Sequence, residues 1–367
     1  MRRQTVRAAV LMGVVAAAAG AVQGAGAATA GEPPHAAHGT ARFASVVDQA
    51  QRKVYVSTGP SASAIDVYGY DGRLQQTVEH LPGASGLVLS EDGTTLYVAL
   101  AAADAIVALD TATLTEKDRH PTGAHTCPTR LTRTGTDVWF GYGCDAWTGA
   151  IGRLDDASQP AKVTLDQQVP PEELATDPRR FERAPLLATS RPAPGSSTAP
   201  ILVASQPHIS PVNVRVYEVK DGALVPGVRE DRGGSNLTDL AVSPGGSTLY
   251  TAAGSQDRVD GFATADLSGK GVWHTGQSPT AVAASPDGHH LASGTHTSRG
   301  NGASVVLHPL VNGAREIRYR VPRDHRLADR GLSWSADGTA LAIVSYDAAH
   351  RTAVQVVEPP RGEAAGG

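Results

Sequence analysis

The chain is poor in the residue types that most often carry chemistry or hold a protein in a membrane. Its 367 residues include two cysteines, two methionines and four tryptophans, and aromatic residues make up 5% of the sequence. The formal net charge is −4, from 32 basic and 36 acidic residues, which argues against a nucleic-acid-binding surface. Beyond residue 30 no apolar run is long enough to cross a bilayer, so no membrane span is expected.

Signatures of catalysis and of cofactor binding are also missing. The sequence contains no Gly-x-Ser-x-Gly elbow, no His-Glu-x-x-His pair and no Cys-x-x-Cys spacing. Thirteen histidines are present, but they are scattered among polar loops, where histidine is common because such loops are solvated. We therefore expect no cofactor and no metal site, and no residue is predicted to be catalytic.

Residues 1–30 have the layout of a bacterial signal peptide. Arg2, Arg3 and Arg7 form a basic start, residues 8–19 are apolar but too short to span a bilayer, and residues 28–30 offer small side chains for cleavage. This arrangement predicts a secreted, extracellular protein, either free or associated with the cell wall. It leaves open whether export uses the general or the twin-arginine route.

A repeated unit follows, and its clearest copy is residues 86–114, GLVLSEDGTTLYVALAAADAIVALDTATL. This copy contains three short apolar strands, and its Asp92-Gly93 turn suits a hairpin because both residues tolerate positive φ. The middle of the second strand recurs at Tyr55, Tyr97, Trp139, Leu202, Tyr250, Ala292 and Ala342, at intervals of 42, 42, 63, 48, 42 and 50 residues. A blade of four strands takes roughly 40–50 residues. The period therefore predicts an all-β, seven-bladed β-propeller of four-stranded antiparallel blades.

The domain boundaries follow from this register. The propeller is predicted at residues 43–358, with blades near 43–78, 86–120, 128–165, 185–226, 237–274, 280–320 and 331–357, and with a tail at 359–367. Residues 31–42 are either a flexible leader or part of a closing strand. Either residues 38–43 close blade 7, or blade 7 lacks one strand. The long interval before blade 4 reflects an insertion at residues 166–199, rich in proline, arginine and serine, which reads as a surface loop.

Both cysteines fall in blade 3. Cys127 precedes the first strand and Cys144 follows the second, so folding of that antiparallel hairpin brings the two side by side. In an exported protein with two cysteines this arrangement predicts a Cys127–Cys144 disulfide. The alternative is a pair of buried free thiols.

Several stretches resemble known propeller repeats. TLYVALAAADAIVALDTATL followed by PTGAHTCPTRL resembles the YVTN-type repeat, and AVAASPDGHHLASG and GLSWSADGTALAIVS resemble the SPDG repeats of TolB-like and WD40-like propellers. The resemblance covers about residues 43–357 and implies a bacterial exported propeller of the lactonase-like seven-bladed superfamily. Those families include surface proteins, lactonases and binders of ligands or partners. The His-, Glu- and Arg-containing motifs of the lactonases and the Trp-Asp and Gly-His signatures of WD40 repeats have no counterpart here.

One end of such a propeller is the expected binding surface. The loops between second and third strands and the loops leading from one blade to the next share this end, here called the mouth face, around the opening of the central channel. Candidate binding residues in these loops are His125, His208, Asn236, Gln277, His296, Arg299, His325, Asp329 and Arg330. We expect a monomeric scaffold that binds a protein or an envelope or glycan ligand. The alternative is an extracellular, lactonase-like hydrolase or lyase that uses histidines and carboxylates at the mouth. A redox-partner subunit is a third possibility, without a cofactor motif to support it.

Overall fold

The computed structural model describes residues 44–57, 59–192, 195–210, 212–231, 234–296, 304–311 and 315–359. The predicted signal peptide, the candidate closing strand near residues 38–43, Arg299 and residues 360–367 lie outside this part of the chain. The described residues form 27 strands and no helix. A membrane-spanning helix, in particular, is not found among them.

The strands form seven antiparallel sheets that follow one another along the chain. Blade 1 consists of β1 (Ala44–Asp48), β2 (Lys53–Ser57), β3 (Ala64–Gly69) and β4 (Leu74–Glu79), and blade 2 of β5 (Ala84–Leu89), β6 (Thr95–Leu100), β7 (Ala105–Asp110) and β8 (Glu116–Pro121). Blade 3 consists of β9 (Arg130–Thr134), β10 (Asp137–Tyr142), β11 (Ala150–Asp155) and β12 (Lys162–Thr164), and blade 4 of β13 (Leu186–Thr189), β14 (Ile201–Ser205), β15 (Asn213–Lys220) and β16 (Ala223–Asp231).

Blade 5 consists of β17 (Leu237–Val242), β18 (Thr248–Ala253), β19 (Arg258–Ala263) and β20 (Gly269–His274), and blade 6 of β21 (Pro279–Ala284), β22 (His290–Thr295), β23 (Val305–Pro309) and β24 (Ile317–Tyr319). Blade 7 has three strands within the described residues, β25 (Arg326–Trp334), β26 (Leu341–Tyr346) and β27 (Thr352–Val357). The predicted all-β, seven-bladed propeller is confirmed.

Burial within each blade explains why the inner strands lack an alternating pattern. Every residue of β6, β18, β22 and β26 is buried, whereas β4 and β20 are almost entirely exposed. A second strand is covered on both faces by neighbouring blades, so apolar residues are favoured on both. The core clusters accordingly join adjacent sheets; Tyr55 of β2, for example, packs with Val98 of β6. The first strands contact one another in a closed ring, including β25 with β1.

The turn between first and second strands has its own local chemistry. In blade 2 the Ser90 hydroxyl donates to Asp92 (2.5 Å) and accepts the Thr95 N–H (3.0 Å), while Asp92 accepts the Thr94 N–H (3.0 Å). These bonds, led by the one from Ser90, lower the pKa of Asp92 to about 2. Gly93 takes a φ of +72°, which glycine adopts without strain. The same bonds recur at Ser285, Asp287 and Gly288 and at Ser335, Asp337 and Gly338.

The first strands enclose a central channel with a cavity of about 260 Å³, lined from all seven blades. The strands start at the mouth face and end at the opposite face, so side chains at their starts lie nearest the mouth. Arg191, Pro244 and Pro286, which follow the ends of β13, β17 and β21, line the other end. The mouth face includes the disulfide loop of blade 3, the insertion before blade 4 and the entry loops of blades 5 to 7.

Candidate functional site

The disulfide loop of blade 3 is held at the mouth face by a covalent bond and by hydrogen bonds. Cys127 and Cys144 are bonded, with Cα atoms 5.2 Å apart, and the predicted disulfide is confirmed. Asp104 fixes the approach to β9, because its carboxylate accepts the backbone N–H groups of His125 (2.9 Å), Thr126 (3.0 Å) and Cys127 (2.8 Å). In the described part of the chain Asp104 and the two cysteines form the one cluster with metal-ligand spacing. Its two sulfur atoms are bonded to each other, so we assign the cluster a structural role.

Trp147 projects from the loop between β10 and β11, which the disulfide connects to the segment before β9. Its side chain is 67% exposed. The loop backbone is held firmly, since the Trp147 N–H donates to the Glu182 carbonyl (2.7 Å) and the Thr148 hydroxyl to the Asp145 carbonyl (2.7 Å). The other exposed large apolar side chains of the described residues are on fourth strands or the turn leading to one, at Leu74, Val225, Val272 and Val311. A large aromatic is thus held in solvent at the mouth.

The insertion before blade 4 packs directly against this loop. Gly149 and Phe181 form a two-bond antiparallel bridge, with N–H to carbonyl distances of 2.9 and 2.7 Å. The Phe181 side chain is 1% exposed, and the Arg215 guanidinium lies 3.9 Å above its ring centre. A Cβ on Gly149 would lie 2.1 Å from the Arg183 carbonyl oxygen, so the close approach requires glycine. A segment expected to be a surface excursion is therefore anchored in the core at one aromatic residue.

The arginines of the insertion are mostly paired within it. Arg179 forms an ion pair with Glu173, and Arg180 Nη1 lies 2.7 Å from Asp166 Oδ1. Arg183, by contrast, has a side chain that is half exposed. The arginine run therefore braces the insertion through its own carboxylates rather than presenting a cluster of free cations.

Two pairs of predicted binding residues are brought together. His208 Nδ1 donates to Asn236 Oδ1 (3.0 Å), joining the loop after β14 to the entry of blade 5. His296 Nε2 lies 3.0 Å from Asp329 Oδ1, and His296 Nδ1 donates to the Leu327 carbonyl (3.0 Å). Both ring nitrogens of His296 thus face acceptors, which favours the imidazolium. Burial lowers the His296 pKa, but the bond to Asp329 and its charge outweigh burial, and the net shift is upward.

Arg330, also predicted, points into the channel. Its pairing with β26 is interrupted, since β25 has a register irregularity between Leu327 and Leu332. The Arg330 φ is +58°, and its Nε lies 3.6 Å from Asp239 Oδ1. Asp239 was missed by the sequence analysis, although a carboxylate within the apolar strand β17 was a visible signal. Burial raises the pKa of Asp239 to about 6, against the opposing effects of Arg330 and two backbone bonds.

The other predicted residues that the structure describes occupy separate loop positions. His125 is exposed and held by its backbone bond to Asp104. His325 Nδ1 lies 3.3 Å from the Arg323 carbonyl, and the Gln277 carbonyl accepts the Thr275 hydroxyl (2.5 Å). The eight candidate residues that the structure describes therefore do not form one constellation: they give two pairs, one channel arginine and separate loop positions.

Blade 6 contains a Ser-His-Glu arrangement that sequence reasoning did not find. His308 Nε2 lies 2.8 Å from Ser293 Oγ, and His308 Nδ1 lies 3.0 Å from Glu316 Oε1. Acyl transfer uses such a relay only where the serine meets a substrate, and Ser293 is 1% exposed. Burial lowers the pKa of His308 despite Glu316, so the neutral ring links β22 and β23 to the residue that precedes β24. The sequence signal was a histidine within the apolar run VVLHP of β23.

His296, which is partly exposed, and His308, which is buried, are expected to give stability effects of opposite pH dependence. The pKa of His296 is raised, so its stabilisation is complete below about pH 6.5 and is lost as the pH rises through the folded value. The pKa of His308 is lowered, so its stabilisation is complete above about pH 6.5 and is lost as the pH falls through the folded value. In urea unfolding, His296→Gln should therefore destabilise more at pH 5.5 than at pH 8.5, and His308→Gln the reverse. The same pH trend in both variants would contradict these assignments.

Comparison with known proteins supports the fold alone. No family model matches the chain, and no curated protein matches it. Among solved structures, a chain of "Crystal Structure of Mitotic Checkpoint Complex" is similar with a TM-score of 0.60 and 14% identity, over 92% of this chain and 98% of that one. The Cps50 (Swd1) β-propeller domain of Myceliophteria thermophila gives a TM-score of 0.58 and 12% identity, over 86% and 96%. Hydrazine synthase of Kuenenia stuttgartiensis is similar with a TM-score of 0.60 and 15% identity, over 89% of this chain and 99% of that one.

Proposed function

We propose that this protein is an exported binding scaffold that acts as a monomer and presents its mouth face to a protein or to an envelope or glycan ligand. The observation that carries the proposal is Trp147, a largely exposed aromatic on a loop held by a disulfide and by the docked insertion. An exposed tryptophan on a rigid loop offers a large apolar area with little conformational entropy to lose on binding. Such a residue is favoured as an anchor in interfaces.

Two further features support this reading. A disulfide is typical of oxidising, extracytoplasmic compartments, which agrees with the predicted signal peptide. The surroundings of Trp147 are polar, with Asp145 exposed and Arg183 half exposed. An apolar anchor inside a polar rim is the usual anatomy of a protein-binding site.

Replacing Trp147 by alanine is expected to weaken binding to envelope fractions of the producing cells by roughly thirtyfold, the effect of losing one interface anchor. Trp147→Phe should weaken binding less, because part of the aromatic ring surface remains. Binding is measured by co-sedimentation of protein recovered from culture supernatant. Leu74→Ala is the matched control, since Leu74 is an exposed apolar residue outside the mouth face. Equal binding by the wild type and the Trp147→Ala variant would remove this surface from the proposal.

The alternative, a hydrolase or lyase, rests on a different observation. Asp239 lies in the channel beside Arg330, and a carboxyl with a pKa near 6 is suited to general acid–base chemistry close to neutral pH. Turnover of a lactone or glycan substrate that disappears in Asp239→Asn, while Trp147→Ala remains active, would favour the enzyme over the scaffold.

A further inference from the structure

The Arg330 side chain has more hydrogen-bonding capacity than its surroundings use. Its Nη1 atom is buried and has no hydrogen-bond partner among the described residues. The nearest carboxylate contact is Nε to Asp239 Oδ1 at 3.6 Å, which is longer than a hydrogen bond. A guanidinium offers five N–H donors in a planar fork that fits the two oxygens of an oxyanion. The Arg330 guanidinium therefore has N–H donors that the described residues leave without an acceptor.

Asp239 cannot turn to complete the match, because both of its oxygens are already used. Oδ1 accepts the Leu240 N–H and Oδ2 accepts the Val282 N–H, each at 2.9 Å. These bonds fix the carboxylate between β17 and β21. Arg330 comes from β25, two blades away from β17, so its side chain reaches along the channel wall to arrive there. The pairing is thus a charge contact between two groups held in place by different strands.

The channel has room beside this arginine for a small ligand. Its cavity of about 260 Å³ corresponds to roughly nine water molecules at about 30 Å³ each. The rest of the lining combines apolar side chains, such as Leu240, Val282 and Trp334, with polar residues, such as Ser45 and Ser333. A charged donor that is mostly shielded from bulk water binds an oxyanion more strongly than the same donor in bulk water.

We propose that the mouth end of the central channel binds a small oxyanion, a carboxylate or a tetrahedral sulfate- or phosphate-type group, through the Arg330 guanidinium. The inference goes beyond the proposed function, because it needs no macromolecular partner. Its test uses no envelope material, so either idea can fail without the other.

The charges around the site make this binding stronger at mildly acid pH. Asp239 is the direct competitor for Arg330, and its protonation near pH 6 releases the arginine for a ligand. His296, whose pKa is raised, gains charge over the same range and neutralises Asp329. The charged and titratable groups that act on this cluster are Arg130, Asp239, His296, Arg326, Asp329, Arg330 and Tyr346.

The experiment is calorimetric titration of the purified mature protein with pyruvate and, separately, with sulfate, at constant ionic strength. Both probes stay ionised at pH 5 and pH 7.5, so a pH effect reports on the protein. Binding is expected to be roughly tenfold tighter at pH 5 than at pH 7.5, since Asp239 is mostly protonated only at the lower pH. Saturation by pyruvate alone would identify a carboxylate site, and saturation by sulfate alone a tetrahedral-anion site.

Three variants separate binding through Arg330 from a purely structural role. Arg330→Gln should abolish binding, and Arg330→Lys, which keeps the charge but not the fork, should weaken it at least several-fold. Asp239→Asn should bind at pH 7.5 as tightly as the wild type does at pH 5 and should lose most of the pH dependence. Arg73→Gln, at an exposed turn on the opposite face, is the control and should bind normally.

Two outcomes would overturn the inference. One is the absence of saturable binding of either probe by the wild type at both pH values. The other is unchanged binding in Arg330→Gln. If Arg330→Gln does not fold, Arg330→Lys and Asp239→Asn still test the inference. If Arg330 has only a structural role, the affinity for the anion should not change in either variant.

Discussion

Replacing Phe181 by alanine is expected to lower the free energy of unfolding by about 3–5 kcal/mol, the usual cost of removing a buried phenylalanine. Phe181 is almost wholly buried and packs in one cluster with Trp139, Ile151 and Tyr217, so its loss leaves a cavity between blades 3 and 4. The substitution also removes the ring under Arg215. Urea unfolding monitored by circular dichroism measures the change.

A matched variant separates volume from ring chemistry. Phe181→Leu keeps most of the buried apolar volume and should cost about 1–2 kcal/mol, part of it from the lost contact with Arg215. Limited proteolysis should cut the insertion faster in Phe181→Ala than in the wild type, because the bridge to Gly149 depends on this anchor. Wild-type stability and an uncut insertion in Phe181→Ala would show that the insertion is held by its ion pairs instead.

Replacing both cysteines by serine is expected to lower the free energy of unfolding by about 3 kcal/mol, from the loop-closure entropy of a bond between residues 17 apart. The effect should arise mainly in the unfolded chain. In the folded protein Asp104 still holds the Cys127 segment through three N–H bonds, and the Glu182 carbonyl still holds Trp147. The change is measured by urea unfolding of the wild type and of the double variant, each with and without a reductant.

The reductant supplies the control for this prediction. Reduction should destabilise the wild type by the same amount and leave the double serine variant unchanged. A double variant within about 0.5 kcal/mol of the wild type would mean that the unfolded chain is already restricted around blade 3. Binding through Trp147 should weaken only modestly, because the folded loop keeps its backbone bonds.

The proposed scaffold and the proposed anion site use different physics at the same end of the molecule. Trp147 offers apolar area on a fixed loop, whereas Arg330 offers an incompletely matched charge inside the channel. A ligand that carries a carboxylate could contact both, but each property is tested by separate variants. The pH dependence also differs, since only the channel site involves Asp239.

The strand pattern could be read from the sequence because its causes are local. A turn such as that at Ser90, Asp92 and Gly93 is closed by bonds within six residues, so its residues identify it wherever it occurs. The blade period then follows from counting. The Cys127–Cys144 pairing was equally accessible, because the two ends of an antiparallel hairpin must lie together.

The site residues were less predictable, because their roles depend on contacts between blades. The loop positions of His208, His296 and Arg330 could be assigned to the mouth face, but their partners could not. Asp239 and Arg330 come from blades 5 and 7 and meet along the channel wall, and no spacing along the chain marks that contact. Phe181 is likewise hidden in a segment whose composition indicates a loop.

By itself the sequence determined the fold class, the number of blades and the disulfide, since turn chemistry, periodicity and hairpin connectivity are properties of neighbouring residues. Only the tertiary structure decided which side chains are paired, which are buried and which stay exposed. Closure of the ring brings first strands from distant parts of the chain around one channel. There the burial of Asp239, the incompletely matched fork of Arg330 and the exposure of Trp147 are set by how the blades and loops pack.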